Sequence, residues 1–332
     1  MVLLNTEYAG LTLRNPLIVG SSGLTDSAGK NRELEEAGAG AVVLKSLFEE
    51  QIERQGDILL QPSDSPEAAD YIRNYVKANQ VEEYLSLIRA TKAVCTIPVI
   101  ASINCYRADA WTEFAKQIED AGADALELNV FYLCTDTNTS ANEMYDLYIS
   151  ILEKVRERVA IPIIMKTGKG FSNIPGLVSR LKLHGARGVV LFNRYYQPDI
   201  DVKRMRITSG RIFSAPSELG DTLRWTALVS GIVPGISISS SCGVHDWTDA
   251  VKCLLAGATT VQLCSTIYKN GRGVIAKILE GMEKWMDETR YVAVSEFRGK
   301  LSFSRAENPS MYERSQFMKY FSGKNSDNVI FR

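Results

Sequence analysis

Residues 111–130 read WTEFAKQIEDAGADALELNV: an amphipathic stretch, a small-residue break carrying Gly122, and a short apolar run. A glycine just past a helix end takes the left-handed conformation that closes the helix, after which a strand can begin. The same grammar recurs along the chain. Glu36-Ala37-Gly38-Ala39-Gly40 precedes AVVLKS (41–46), His184-Gly185-Ala186-Arg187 precedes GVVLFN (188–193), and Ala256-Gly257-Ala258 precedes TTVQLC (259–264). Four further strands are predicted at Pro16–Gly20, Pro98–Asn104, Pro162–Thr167 and Gly235–Ser240, three of them entered through Pro, which is tolerated at the first residue of a strand. Amphipathic segments such as EMYDLYISILEKVRERV, WTDAVKCLLAGA and GVIAKILEGMEKWMDE alternate with these runs. Near-continuous apolar strands are buried on both faces, as in parallel sheets covered by helices. Eight β-then-α units in succession favour an α/β architecture closed as a (β/α)8, or TIM, barrel, with an open doubly wound sheet as the alternative.

Three segments fall outside the repeat. Residues 2–13 are predicted to form a hairpin around Ala9-Gly10 that plugs the barrel bottom. Residues 195–214 are predicted to be an inserted hairpin, with RMRI and RIF flanking Thr208-Ser209-Gly210. Residues 47–79 read as a long polar loop. No linker divides the chain, so 1–332 is expected to be a single domain, with a C-terminal extension at about 303–332 that covers the barrel or meets another subunit in a homodimer.

Composition narrows the function classes. With 38 basic and 39 acidic residues, the net charge of −1 supplies none of the electrostatic footprint that nucleic-acid binding needs. No apolar run reaches the roughly 18 residues expected of a membrane-spanning helix, and the start lacks a basic, then apolar, secretory pattern. Cys95, Cys105, Cys134, Cys242, Cys253 and Cys264 form no CxxC pair, which argues against a disulfide frame or a zinc site and for reduced thiols in the cytoplasm. No metal is expected.

Barrel active sites sit at the C-terminal ends of the strands. There the sequence places Ser21-Ser22-Gly23, Lys45-Ser46, Asn104, Asn129, Lys166-Thr167, Asn193, Ser239-Ser240-Ser241 and Cys264-Ser265. The last two units read as a phosphate site. Ser241-Cys242-Gly243 runs toward a helix at Asp246, and Cys264-Ser265-Thr266 precedes Gly271 and Gly273; small residues let backbone N–H groups approach phosphate oxygens. Two ordinary turns are the plainer alternative. Lys45 and Lys166 end apolar strands, so each ammonium is expected either in the barrel mouth or paired with a carboxylate such as Glu127, which alternation also turns inward.

These residues resemble those of a known family. Leu13-Arg14-Asn15-Pro16-Leu17 with Ser21-Ser22-Gly23, Val43-Leu44-Lys45-Ser46, Glu127-Leu128-Asn129, Met165-Lys166, and Ala256-Gly257-Ala258-Thr259 with Gln262 resemble the dihydroorotate dehydrogenases, in the same order, from about residue 3 to residue 300. The resemblance implies FMN as cofactor and an oxidoreductase of pyrimidine biosynthesis acting on a CH–CH or C=C bond of a small molecule such as dihydroorotate or orotate. It places Ser21, Ser22, Gly23, Lys45, Ser46 and Asn104 near the flavin, Asn129 and Lys166 at the pyrimidine part of its ring or its ribityl chain, and Asn193 where the family has an amide that contacts flavin or substrate. Ser241, Cys242, Gly243, Cys264 and Ser265 then stand where the family has its phosphate loops. A lysine beside the flavin's N1–C2=O edge favours the negative charge gained on reduction.

The substrate half departs from the family. Its Asn-Leu-Ser-Cys-Pro-Asn stretch, whose Cys is the catalytic base, reads here Asn129-Val130-Phe131-Tyr132-Leu133-Cys134. Tyr132 takes the place of the base and Cys134 that of a substrate-binding Asn, so these two are the candidate catalytic residues. The family's substrate loop is replaced by Gln61-Pro62-Ser63-Asp64-Ser65-Pro66-Glu67, and the Ser that follows Asn193 in the family is Arg194. Three readings stay open: a dihydroorotate enzyme with a substitute base, an FMN enzyme for another substrate, or a flavin-binding protein without catalysis. The electron acceptor is not legible; with no iron–sulfur cysteine cluster, any electron-carrying partner would be another chain.

Overall fold

The computed structural model describes residues 2–48, 66–104, 112–130 and 132–315. Eight parallel strands close into a barrel with helices around it. In chain order the barrel strands are Leu17–Val19, Ala41–Val43, Val99–Asn104, Ala125–Asn129, Ile163–Thr167, Gly188–Leu191, Ser237–Ser241 and Thr260–Leu263. Each pairs with the next, and the eighth pairs with the first through Val261 opposite Leu17. Closure removes the open-sheet alternative and leaves no free edge.

The repeat works as its sequence suggests. Gly122, at φ +96°, ends the helix Thr112–Asp120, and the fourth strand starts three residues later; Gly38, Gly185 and Gly257 do the same at φ +106°, +101° and +115°. Helix starts are equally local. Ser140 and Glu143 form a reciprocal capping box before Ala141–Arg156, and the Asp246 side chain accepts from Asp249 N at 3.0 Å before Trp247–Ala256.

Alternation divides the strand residues into two sets. Leu126 and Leu128 face the helical layer in the main apolar core, whereas Ala125 belongs to a separate cluster inside the barrel with Ile18, Ala41, Val43, Ile100, Ile164 and Val190. Tyr8, Ala9 and Leu13 of the N-terminal hairpin, Thr6–Tyr8 paired with Leu11–Leu13, join that inner cluster and plug the bottom, with Ala9 N donating to Ser237 Oγ at 2.9 Å. Two residues beyond Ile100, Ala125 and Ile164 the inward positions turn polar, as Ser102, Glu127 and Lys166, and the seventh and eighth strands add Ser239 and Gln262, all buried. The barrel therefore runs from an apolar base to a polar mouth.

Two expectations need correction. The stretch 47–79 is not a long loop throughout, because a helix spans Pro66–Val94; residues 49–65, including Gln61–Ser65, lie outside the described residues. The inserted hairpin exists, but it pairs Pro198–Asp201 with Arg206–Ser209, so Thr208 and Ser209 are strand residues and the turn falls at 202–205. Met205 takes φ +47° in that turn, a position that the Thr-Ser-Gly signal did not point to. The tail lies over the barrel as far as residue 315: Phe303 N donates to Ala227 O at 3.0 Å and Tyr312 Oη to Leu301 O at 2.6 Å. Phe317, Tyr320 and Phe321 lie outside the described residues, as do Phe131 and Cys105.

Candidate functional site

A cavity of about 420 Å³ opens at the C-terminal ends of the strands. Its walls include Gly20 and Ser21 after the first strand, Lys166 of the fifth, Phe192, Asn193 and Arg194 after the sixth, Ser241–Val244 at and beyond the seventh, and Gln262, Cys264 and Ser265 at the eighth. Ile212, Phe213 and Ser214, which follow the inserted hairpin, and Tyr268 complete it. The strands thus bring together Ser21, Lys166, Asn193, Ser241, Cys242, Gly243, Cys264 and Ser265 of the expected site.

At the cavity floor three strands contribute one buried polar cluster. Lys166 Nζ lies 3.3 Å from Glu127 Oε1 as an ion pair and donates to Gln262 Oε1 at 3.2 Å, while Gln262 Nε2 donates to Glu127 Oε2 at 2.7 Å. Glu127 is 0% exposed and Lys166 7%. The two alternatives for Lys166 are therefore both realised: it lines the mouth and is paired with Glu127. The sequence shows Gln262 only as part of a motif; its place on the inward face of TTVQLC, two residues after Thr260, is the available signal.

The other expected residues stand around this floor. Asn193 Nδ2 donates to Asn129 Oδ1 at 2.8 Å, which joins the sixth strand's end to the fourth's. Ser21 and Ser46 share a hydroxyl contact at 2.9 Å, and Ser46 continues to Ser102 at 2.8 Å, so Ser46 supports Ser21 and does not line the cavity. Ser22 Oγ accepts from Leu24 N at 3.2 Å within the turn after the first strand, and Gly23 lies under Tyr268, whose hydroxyl a Cβ there would meet at 3.0 Å. Lys45 is exposed, Asn104 is half-buried at the end of its strand, and neither is among the lining residues.

The loops of the seventh and eighth units have the small-residue geometry expected of a phosphate site. Cys242 and Gly243 take φ +77° and +81°, so the cysteine keeps a glycine-like backbone at a cost of about 1–3 kcal/mol. Its thiol donates to Phe192 O at 3.4 Å. Burial pushes the Cys242 and Cys264 thiols up, the second partly offset by a hydrogen bond with Ser22. Among the described residues, the backbone N–H groups of Gly243, Val244 and Ser265 have no backbone acceptor.

Arg194 does something the sequence did not reveal. Its Nε donates to Glu218 Oε2 at 3.2 Å, its Nη1 to Arg211 O at 2.7 Å and Ile212 O at 2.9 Å, and its Nη2 to Gln197 Oε1 at 3.0 Å. It clasps the base of the inserted hairpin, which carries Ile212 and Phe213 to the cavity. Ser214 is tied from the other side, its N–H donating to Ser265 Oγ at 3.0 Å, its carbonyl accepting from Lys269 Nζ at 2.7 Å and its hydroxyl 3.2 Å from His245 Nε2. Burial, then Lys269, lower the His245 pKa below its ordinary value. Phe213 stacks on Tyr268 with centroids 5.3 Å apart.

Tyr132 and Cys134 do not line this cavity. They belong to a second one of about 320 Å³, with Met144, Tyr145, Phe171 and Tyr195. Tyr132 is 40% exposed, and the Cys134 thiol donates to Asp136 O at 3.6 Å. Among the described residues no group of His, Cys, Asp and Glu could hold a metal ion, and no helix is long and apolar enough to cross a membrane.

Comparison with known proteins gives one consistent result. The sequence profile of the dihydroorotate dehydrogenase family matches residues 3–286. Among the curated relatives is the catalytic subunit of dihydroorotate dehydrogenase B (NAD(+)) of Thermoplasma volcanium, 27% identical over 89% of this chain and 97% of its own. The protein of the same name from Pyrococcus furiosus is 29% identical over 88% of this chain and 97% of its own.

Proposed function

Because the chain belongs to the dihydroorotate dehydrogenase family, we propose that it is an FMN-dependent oxidoreductase whose substrate half has moved away from dihydroorotate. The observation that carries this reading is the buried Lys166–Glu127–Gln262 cluster beneath a cavity walled by the Ser241–Val244 and Cys264–Ser265 loops. The residues present fit a flavin mononucleotide. Free backbone donors at Gly243, Val244 and Ser265 suit a phosphate, the described lining residues include Lys166 and Arg194 but no carboxylate, and the volume is ordinary for a cofactor-sized ligand. No GxGxxG run follows any strand, which speaks against a dinucleotide site.

Bound there, FMN would supply the two-electron redox chemistry. The chain's own residues then have separable roles. Lys166 supplies positive charge at the floor, and Glu127 and Gln262 fix its Nζ. Asn193, held by Asn129, offers an amide to the ring or the substrate. Ile212 and Phe213 give the cavity an apolar rim, held by Arg194 and Glu218. A proton must leave or reach the substrate carbon as hydride moves, so a positioned acid–base group is required; the Tyr132 hydroxyl and the Cys134 thiol are the candidates. The relatives named as catalytic subunits make a partner protein the candidate electron acceptor of this chain.

Dihydroorotate is expected to be a poor substrate. Cys134 stands where the family has a substrate-binding Asn, Arg194 where it has a Ser, and the Arg194 guanidinium is engaged by Glu218 and by carbonyl and amide oxygens. Anaerobic mixing with dihydroorotate should leave the flavin absorbance nearly unchanged over seconds. Bleaching within the usual enzymatic range of roughly 1–1,000 per second would show that the substrate half is intact. With a substrate that does bleach the flavin, Tyr132→Phe and Cys134→Ser decide which side chain moves the proton.

A further inference from the structure

We propose that the second cavity is a binding site for a neutral, planar aromatic group; that this group belongs to the substrate rests on the oxidoreductase reading above, whereas the binding itself does not. The cavity grows out of the same strand ends as the first. Tyr132 follows Asn129, Phe171 follows Lys166 and Tyr195 follows Asn193, each by two to five residues, and Asn129 and Asn193 are hydrogen-bonded to each other.

Its walls are rings held in place from behind. Tyr148 donates its hydroxyl to Val130 O at 2.7 Å and meets Phe171 edge-on at 5.0 Å. Phe171 lies 5.6 Å from Tyr145, whose hydroxyl accepts from Asn173 N at 3.2 Å. Tyr195 packs so closely on the backbone just after the strand Ile163–Thr167 that a Cβ at Gly168 would lie 2.4 Å from its hydroxyl oxygen. Side chains fixed in this way lose little freedom when a ligand arrives.

The chemistry of the lining selects the ligand. Among the described residues that line it, none is Asp, Glu, Lys, Arg or His, so a carboxylate entering here would lose water without meeting a cation from them. Ring faces and edges instead favour an aromatic partner in stacked or edge-on contact. At about 320 Å³ the space is at the lower end of ligand pockets, room for one or two rings.

Calorimetric titration of the full-length chain with 2-naphthol, 2-naphthoate and orotate tests the assignment. We expect 2-naphthol to bind at least tenfold more tightly than either anion. Ala141→Trp, at an exposed lining position, should weaken 2-naphthol at least tenfold with thermal unfolding and flavin content unchanged; Leu133→Trp serves as a second filling variant if the first does not fold. Absence of 2-naphthol binding, equal binding of the naphthoate, preference for orotate, or undiminished binding in a folded filling variant would overturn the proposal. Because calorimetry needs no flavin, a chain that carries none still reports on this site.

Discussion

Lys166→Ala is expected to destabilise the folded chain by about 3–5 kcal/mol, the usual cost of stranding one charge of a buried ion pair. Glu127 is fully buried, and beyond Lys166 the neighbour recorded at its carboxylate is Gln262 Nε2. Replacing both partners should be far milder. In Lys166→Met with Glu127→Gln no charge is left behind, and the new amide keeps an acceptor for Gln262. Urea unfolding of the single and double variants measures the difference; equal loss in both would show that the pair is not coupled. Lys166→Met alone tests the electrostatic role, because the double variant removes the opposite charge of Glu127 as well. If a flavin lies over the cavity floor, its reduction potential should fall when the Lys166 charge is gone, because positive charge favours the reduced anion. An unchanged potential with cofactor still bound would make Lys166 a partner of Glu127 alone.

Gly243→Ala should be nearly as costly, at roughly 2–6 kcal/mol, from two separate causes. At φ +81° a side chain strains the backbone by about 1–3 kcal/mol. The added Cβ would also stand 2.3 Å from Leu219 N, a backbone atom at the start of the helix Leu219–Ile232, and such overpacking adds about 1–3 kcal/mol. Gly10→Ala is the control: φ is +92° there, but nothing lies within 4 Å, so only the backbone strain applies. Thermal or urea unfolding of the two variants separates the causes. Equal losses would mean that the loop moves away from Leu219 at little cost. Because Gly243 lines the cavity, its substitution should also lower retained flavin, whereas Gly10→Ala should not.

The barrel was legible because its signals are local and repeated. A glycine past each helix end, an apolar run after it and prolines at strand entries need no tertiary knowledge. The polar strand ends were legible for the same reason, since alternation in ALELNV turns Glu127 and Asn129 toward one face. What was not legible depended on contacts distant in sequence. The turn of the inserted hairpin was placed by Thr208-Ser209-Gly210, but pairing of Ile200 with Ile207 sets the register and moves the turn to 202–205. Arg194 read only as a missing serine, because its partners at 197, 211, 212 and 218 become neighbours when the hairpin folds back. Ser214, His245 and Tyr268 carry no periodic signal at all. Tyr132 and Cys134 were aligned with residues of a known loop, but nothing in the sequence signals that they share a cavity with Phe171 and Tyr195, which come much later in the chain.

The most direct measurement is the identity of the chromophore released by heat from the purified full-length chain, determined by mass. FMN is the expected product, because the free backbone donors at Gly243, Val244 and Ser265 suit one phosphate group and no dinucleotide fingerprint is present. Release of FAD, or a chain that holds no flavin even after reconstitution with FMN, would contradict the assignment.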